Sequence, residues 1–208
     1  MNAHVGTGGL QLHTGFLPDG MWVAISLDNV AEVELSRSNG DEAARLLYAS
    51  LNHGTPFYTW CEERGEAAGT EKITGDIQHL WTPAAVVRIV RDCMVMEDAE
   101  GLHLARGTAR QWLADGQVVG IEDAPTHFGR VSYRMKFDES ARCIEGVVIF
   151  PAESAMEWGI LHLRLPDGLV VDAVDDESGA DVISDGTGLK WSAPRGAVRF
   201  TATVKKGN

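Results

Sequence analysis

The chain has 208 residues, 44% of them hydrophobic, with 18 basic against 30 acidic side chains and a formal net charge of -12. That is enough apolar material for a real core in one large or two small domains, and the ordinary charged fraction excludes disorder of the whole chain. The acidic balance argues against a nucleic-acid partner, because phosphates need a basic face, and no run approaches the roughly 20 apolar residues of a membrane helix.

Residues 1–9 show neither the basic region nor the apolar run of a secretory leader. Gly6-Thr7-Gly8-Gly9 is rich in glycine but lacks the lysine and the preceding strand of a phosphate-binding loop. The compartment, cytoplasmic or exported, stays open at this level. A first helix is expected over residues 21–36, with Val23, Leu27, Val30 and Ala31 on one face. Asn39-Gly40-Asp41 supplies the start of a second, in which Ala44, Leu47, Tyr48 and Leu51 follow the i, i+3, i+4, i+7 spacing of an apolar stripe, widened by Ala43 and Leu46. Asn52-His53-Gly54 with Pro56 beyond is good chemistry for its end. A third helix starts with Thr82 as N-cap and Pro83 in the first position, with Val86, Ile89, Val90 and Cys93 facing inward.

Near residue 98 the pattern changes from helical spacing to alternation, which divides the chain into a helical segment, 1–98, and a β domain, 99–208. Val131, Tyr133, Met135 and Phe137 alternate with Ser132, Arg134 and Lys136, the period of a half-buried strand. Residues 144–150, Leu161 to Leu165 taken alternately, and Val198, Phe200, Ala202 and Val204 read the same way. Turns fall at Asp138-Glu139-Ser140, Pro166-Asp167-Gly168, Ser184-Asp185-Gly186 and Pro194-Arg195-Gly196. Short strands at this spacing predict an antiparallel β-sandwich. Cys61, Cys93 and Cys143 form no CxxC pair, so buried or incidental thiols are expected rather than a disulfide framework or a zinc site. His4, His13, His103, His127 and His162 show no metal-ligand spacing either. Three helices beside one sandwich leave the helical segment short of packing partners, so those partners are expected outside this chain.

Three stretches carry a resemblance: Glu42-Ala43-Ala44-Arg45-Leu46-Leu47-Tyr48-Ala49-Ser50-Leu51-Asn52-His53-Gly54, Thr59-Trp60-Cys61-Glu62-Glu63 and Thr74-Gly75-Asp76-Ile77-Gln78-His79-Leu80-Trp81-Thr82-Pro83. Together they resemble the closing helices of six-hairpin (α/α-toroid) glycosidases, the bacterial glycoside hydrolases that include α-L-rhamnosidase-like enzymes. Gly101-Leu102-His103-Leu104-Ala105, Trp112-Leu113 and Ala124-Pro125-Thr126-His127-Phe128-Gly129 resemble the β-domain that follows such toroids. The resemblance implies an α+β chain, the final helices of an α/α toroid followed by an antiparallel β-sandwich. It also implies a missing upstream part of the catalytic domain, a carbohydrate substrate and no cofactor.

Glycoside cleavage needs two carboxyl groups flanking the scissile bond. The resemblance implies Glu62 as general base, with Glu63 as the alternate and the acid upstream of this chain. An aromatic such as Trp60 packs against a sugar face. Asp76, Gln78, His79 and Trp81, ahead of a helix start, suit sugar hydroxyls, and His53 and Tyr58 are candidates to line the same pocket. Adjacent charges such as Glu62, Glu63 and Arg64 read equally as a solvated loop end, and Asp76 and His79 as organisers of a turn. Two further readings stay open: a polysaccharide lyase, with Tyr58 or His79 abstracting a proton beside a uronate, and a non-catalytic carbohydrate-binding or structural module.

Overall fold

The computed structural model describes residues 5–6, 8–65, 73–166, 168–176 and 179–207. His4, Thr7 and Asp167, named above, lie outside the described residues. The chain divides into two compact units, Met1–Arg91 and Asp92–Asn208.

The first unit opens with β1 (Gly20–Met21) and a continuous helical run: α1 (Val23–Ile25), a π-helical turn over Ser26–Ala31, and α2 (Glu32–Ser36). Val23, Leu27, Ala31 and Leu35 are all buried at intervals of four. In a pure α-helix, positions four apart drift round the axis by about 40° at each step. The wider π turn offsets that drift and keeps the four side chains in line. The spacing predicts the helix but not its π turn.

The helix α3 (Gly40–Asn52) begins where its local chemistry says it should: the Asn39 side chain accepts from Glu42 N at 3.4 Å, and its amide donates to Glu34 Oε2 at 2.7 Å. Its buried face is Ala43, Ala44, Leu46, Leu47 and Ser50, whereas Tyr48 and Leu51 are 45% and 38% exposed. The apolar stripe is therefore turned toward Ala43 and Leu46. Loss of the cap in Asn39→Ala is expected to lower stability by about 1 kcal/mol, a shift of roughly 2–4 °C in thermal melting; an unchanged melting temperature would assign the helix start to other contacts. Next come β2 (Glu63–Gly65) and β3 (Ile73–Thr74), which join β1 in an antiparallel sheet ordered β1-β2-β3, and then α4 (Trp81–Met94).

The second unit contributes β4 (Val95–Glu97), β5 (Gly101–Leu104), a short 3-10 turn over Arg110–Leu113, β6 (Val118–Thr126), β7 (Gly129–Asp138), β8 (Cys143–Phe150), β9 (Trp158–His162), β10 (Leu169–Asp176), β11 (Asp181–Val182), β12 (Gly188–Ser192) and β13 (Gly196–Lys206). They form two five-stranded sheets, β10-β13-β8-β7-β6 and β11-β12-β9-β5-β4. One apolar core takes side chains from both, with Tyr133, Phe137, Val148 and Phe200 from the first and Leu102, Leu104, Leu161 and Trp191 from the second. On β7 and β13 the buried residues alternate with exposed ones as the period of two requires. The second sheet is not antiparallel throughout, because β5 runs parallel to β9.

These findings correct the reading as the end of an α/α toroid. The protein is β-rich, with three sheets and three short helices among the described residues, and the α+β description as toroid helices followed by an antiparallel sandwich does not stand. Helical periodicity reports how a segment coils, not what it packs against. Several stretches that carried the resemblance to toroid helices are not helical: Trp60 and His79 meet in an antiparallel bridge, Glu63 lies in β2 and Thr74 lies in β3. The six-hairpin glycosidase resemblance is withdrawn, and the glycoside hydrolase assignment built on it has no remaining support.

Candidate functional site

The structure brings several of the sequence-predicted residues together in the first unit, where the stretch 60–62 runs antiparallel to 76–79. His79 N donates to Trp60 O at 2.8 Å, and Glu62 N donates to Asp76 O at 2.8 Å. The Glu62 carboxylate also accepts from Asp76 N at 3.3 Å. Gly75 (φ +73°) lets the turn close here: a Cβ on it would sit 2.0 Å from Glu62 Oε2. Trp60 is 4% exposed and donates from its indole to Ser50 O at 2.9 Å, so it is a core residue rather than a platform. Trp81 donates to Asp28 Oδ2 at 2.6 Å and meets Trp22 edge to face, ring centroids 5.4 Å apart. The other oxygen of Asp28 accepts from Arg88 at 2.6 Å. The His53 carbonyl accepts from Arg64 at 2.9 Å, while Tyr58, at a positive φ of 56°, is 79% exposed.

Glu63 sits differently from its neighbour. It is fully buried, and its two carboxylate oxygens accept from Phe16 N at 2.8 Å and Leu17 N at 2.6 Å. Gly15 and Gly20 close around it so tightly that a Cβ on either would lie 2.2 Å and 1.9 Å from carboxylate atoms. The two adjacent carboxylates thus hold separate sets of backbone amides and do not converge on one point. Burial pushes the Cys61 thiol above its ordinary range, so it is not poised as a thiolate. Cys61 and Cys143 are half-buried and Cys93 is buried, and no disulfide joins any of the three.

A second arrangement, on the outer face of the first five-stranded sheet, was not singled out from sequence. A depression of about 550 Å³ crosses that face. Strand register builds it in two rows. In one row Arg134 on β7 and Arg199 on β13 both stand opposite Val147 on β8, and Gly120 on β6 ends the row beyond Arg134. In the next row Lys136 faces Glu145, Glu145 faces Thr201, and Thr201 faces Asp175 on β10. None of Arg134, Lys136, Glu145 and Arg199 belongs to an ion pair among the described residues. The alternation of β7 and β13 marks these side chains as outward-facing, but only the pairing of non-consecutive strands brings them side by side.

The second sheet holds a histidine pair. His103 Nδ1 and His162 Nε2 lie 3.0 Å apart across the parallel β5–β9 pair, with the Trp158 ring 4.9 Å from that of His103. Burial, followed by the Arg106 charge, brings His103 down to about 4. Burial and the charges of His103, Arg106 and Arg164 bring His162 down to about 3. Among the described residues no group of three or more His, Cys, Asp or Glu side chains is placed to hold a metal ion. His127 is instead bound to Glu97.

Comparison with models of known protein families found no match, and comparison with curated proteins found none either.

Proposed function

We propose that this chain is a non-catalytic carbohydrate-binding module whose ligand lies across the outer face of the β10-β13-β8-β7-β6 sheet. The observation that carries the proposal is the pair of cross-strand rows lining the depression, where a row with two donors (Arg134, Arg199) lies beside a row of one donor (Lys136), two acceptors (Glu145, Asp175) and the Thr201 hydroxyl. Sugar hydroxyls both donate and accept, so a surface that mixes charged donors and acceptors matches them better than one of a single character. Strands spaced about 4.8 Å apart present these groups at intervals comparable with a sugar ring. A site of about 550 Å³ is of small-ligand size.

The test is calorimetric titration of the full chain with a panel of oligosaccharides. Glu145→Ala removes the acceptor at the centre of the second row, and it is expected to weaken binding about five- to tenfold, the worth of one charge-assisted hydrogen bond. Products should not appear on prolonged incubation. Absence of binding to every glycan at millimolar concentration would end the proposal, as would binding indifferent to Glu145→Ala combined with Lys136→Ala.

A further inference from the structure

We infer that the preferred ligand is an acidic glycan, its anionic group held between Arg134 and Arg199 over the Val147 side chain. The inference rests on the carbohydrate reading above and adds the charge and orientation of the ligand. Arg134 and Arg199 occupy the two strands flanking β8 and stand opposite the same residue, Val147. Their backbones are therefore two strand spacings apart, about 10 Å, within reach of a common point for two long side chains. Among the described residues that row runs Arg199, Val147, Arg134 and Gly120, with no carboxylate paired directly with either arginine. Neither guanidinium is neutralised by an ion pair among the described residues, although acidic side chains outnumber basic ones by 30 to 18.

Two like charges on either side of an apolar residue repel one another, and an anion between them relieves that repulsion. The forked planar donors of arginine match a carboxylate or a sulfate ester in bidentate fashion. The second row sets the orientation. Glu145 and Asp175 there repel an anion and accept from hydroxyls, so a sugar ring lies with its acidic substituent toward Arg134 and Arg199 and its hydroxyls toward Lys136, Glu145, Thr201 and Asp175.

The shared chemistry is an oxyanion on a sugar, and two sources supply it. Calorimetry should therefore use oligogalacturonate for a carboxylate, a sulfated galacto-oligosaccharide for a sulfate ester, and the matched neutral galacto-oligosaccharide. The expected result is affinity for one or both acidic ligands at least about tenfold above the neutral one, weakening as salt is raised. Arg134→Gln and Arg199→Gln should each lower the acidic affinity roughly tenfold and so narrow the preference for acidic over neutral ligand. Both are exposed positions, and an unchanged melting temperature confirms that the variants fold. Equal affinity for acidic and neutral ligands would overturn the inference and leave the module intact. Acidic preference that survives both substitutions would overturn the placement between the arginines, and failure of all three ligands together with the wider panel would remove both readings.

Discussion

Replacing Glu63 with alanine is expected to destabilise the Met1–Arg91 unit by about 3 kcal/mol or more. The carboxylate is fully buried and satisfies two backbone amides, those of Phe16 and Leu17, in a segment far from it in sequence. Removing it takes the acceptor from both amides, and a hydrogen bond to a charged group is worth about 1.5–3 kcal/mol. The glycines that cage it, Gly15 and Gly20, have no side chains with which to refill the space. Glu63→Gln should fall between: its carbonyl oxygen accepts from one amide, while its own amide group faces the other. Urea unfolding followed by tryptophan fluorescence reads the effect directly, since Trp22, Trp60 and Trp81 all lie in this unit. A loss below about 1 kcal/mol would show that the 16–17 turn is held by something else. A gain in stability would point the other way, because groups kept for chemistry commonly cost the fold something.

Glu63 also shows where sequence reading runs out. Two glutamates followed by an arginine look like a solvated loop end, and nothing in their identity reveals that one is sealed in by amides nearly fifty positions away. Features set by local chemistry were legible. The Asn39 cap, the helical spacing of α3 and α4 and the alternation of β7 and β13 each depend on a few neighbouring residues. Features set by pairing were not. Gly101–Leu104 reads as a strand, but its parallel partner Trp158–His162 is reached only across three intervening strands, and no local pattern announces a parallel neighbour. The same holds for the candidate site: Arg134 and Arg199 are visibly outward-facing, yet their common opposition to Val147 exists only once β7, β8 and β13 are set side by side. The toroid reading failed for a related reason. A helix needs a partner for its apolar face, and a sequence that supplies the face does not say whether a ring of helices or a small sheet supplies the rest.

Acidification is expected to destabilise the Asp92–Asn208 unit well before its carboxylates are protonated, through the pair His103 and His162. Their contact at 3.0 Å joins one ring N–H to one ring nitrogen lone pair, so it exists only while at least one imidazole is neutral. Arg106 and Arg164 add positive charge nearby, opposed by Asp98 beside His103 and Asp185 beside His162. In the folded protein the rings titrate at about 4 and about 3, against about 6.5 in an unfolded chain. The unfolded state therefore binds more protons throughout the interval between, and stability rises with pH there. Read downward, stability is fully present above about pH 6.5, drains as pH falls toward 4, and changes no further on this account once both states are protonated. Between pH 7.5 and 5 the loss for two such groups is on the order of 2–4 kcal/mol, the lower figure allowing for solvent screening of half-exposed rings. The measurement is urea unfolding of the native chain and of His103→Gln/His162→Gln at both pH values, followed near Trp158 and Trp191. The glutamine pair keeps a donor and an acceptor but does not titrate, so its unfolding free energy should be nearly level across the interval. Parallel slopes for the two proteins would place the acid sensitivity elsewhere and strip the histidine pair of this role.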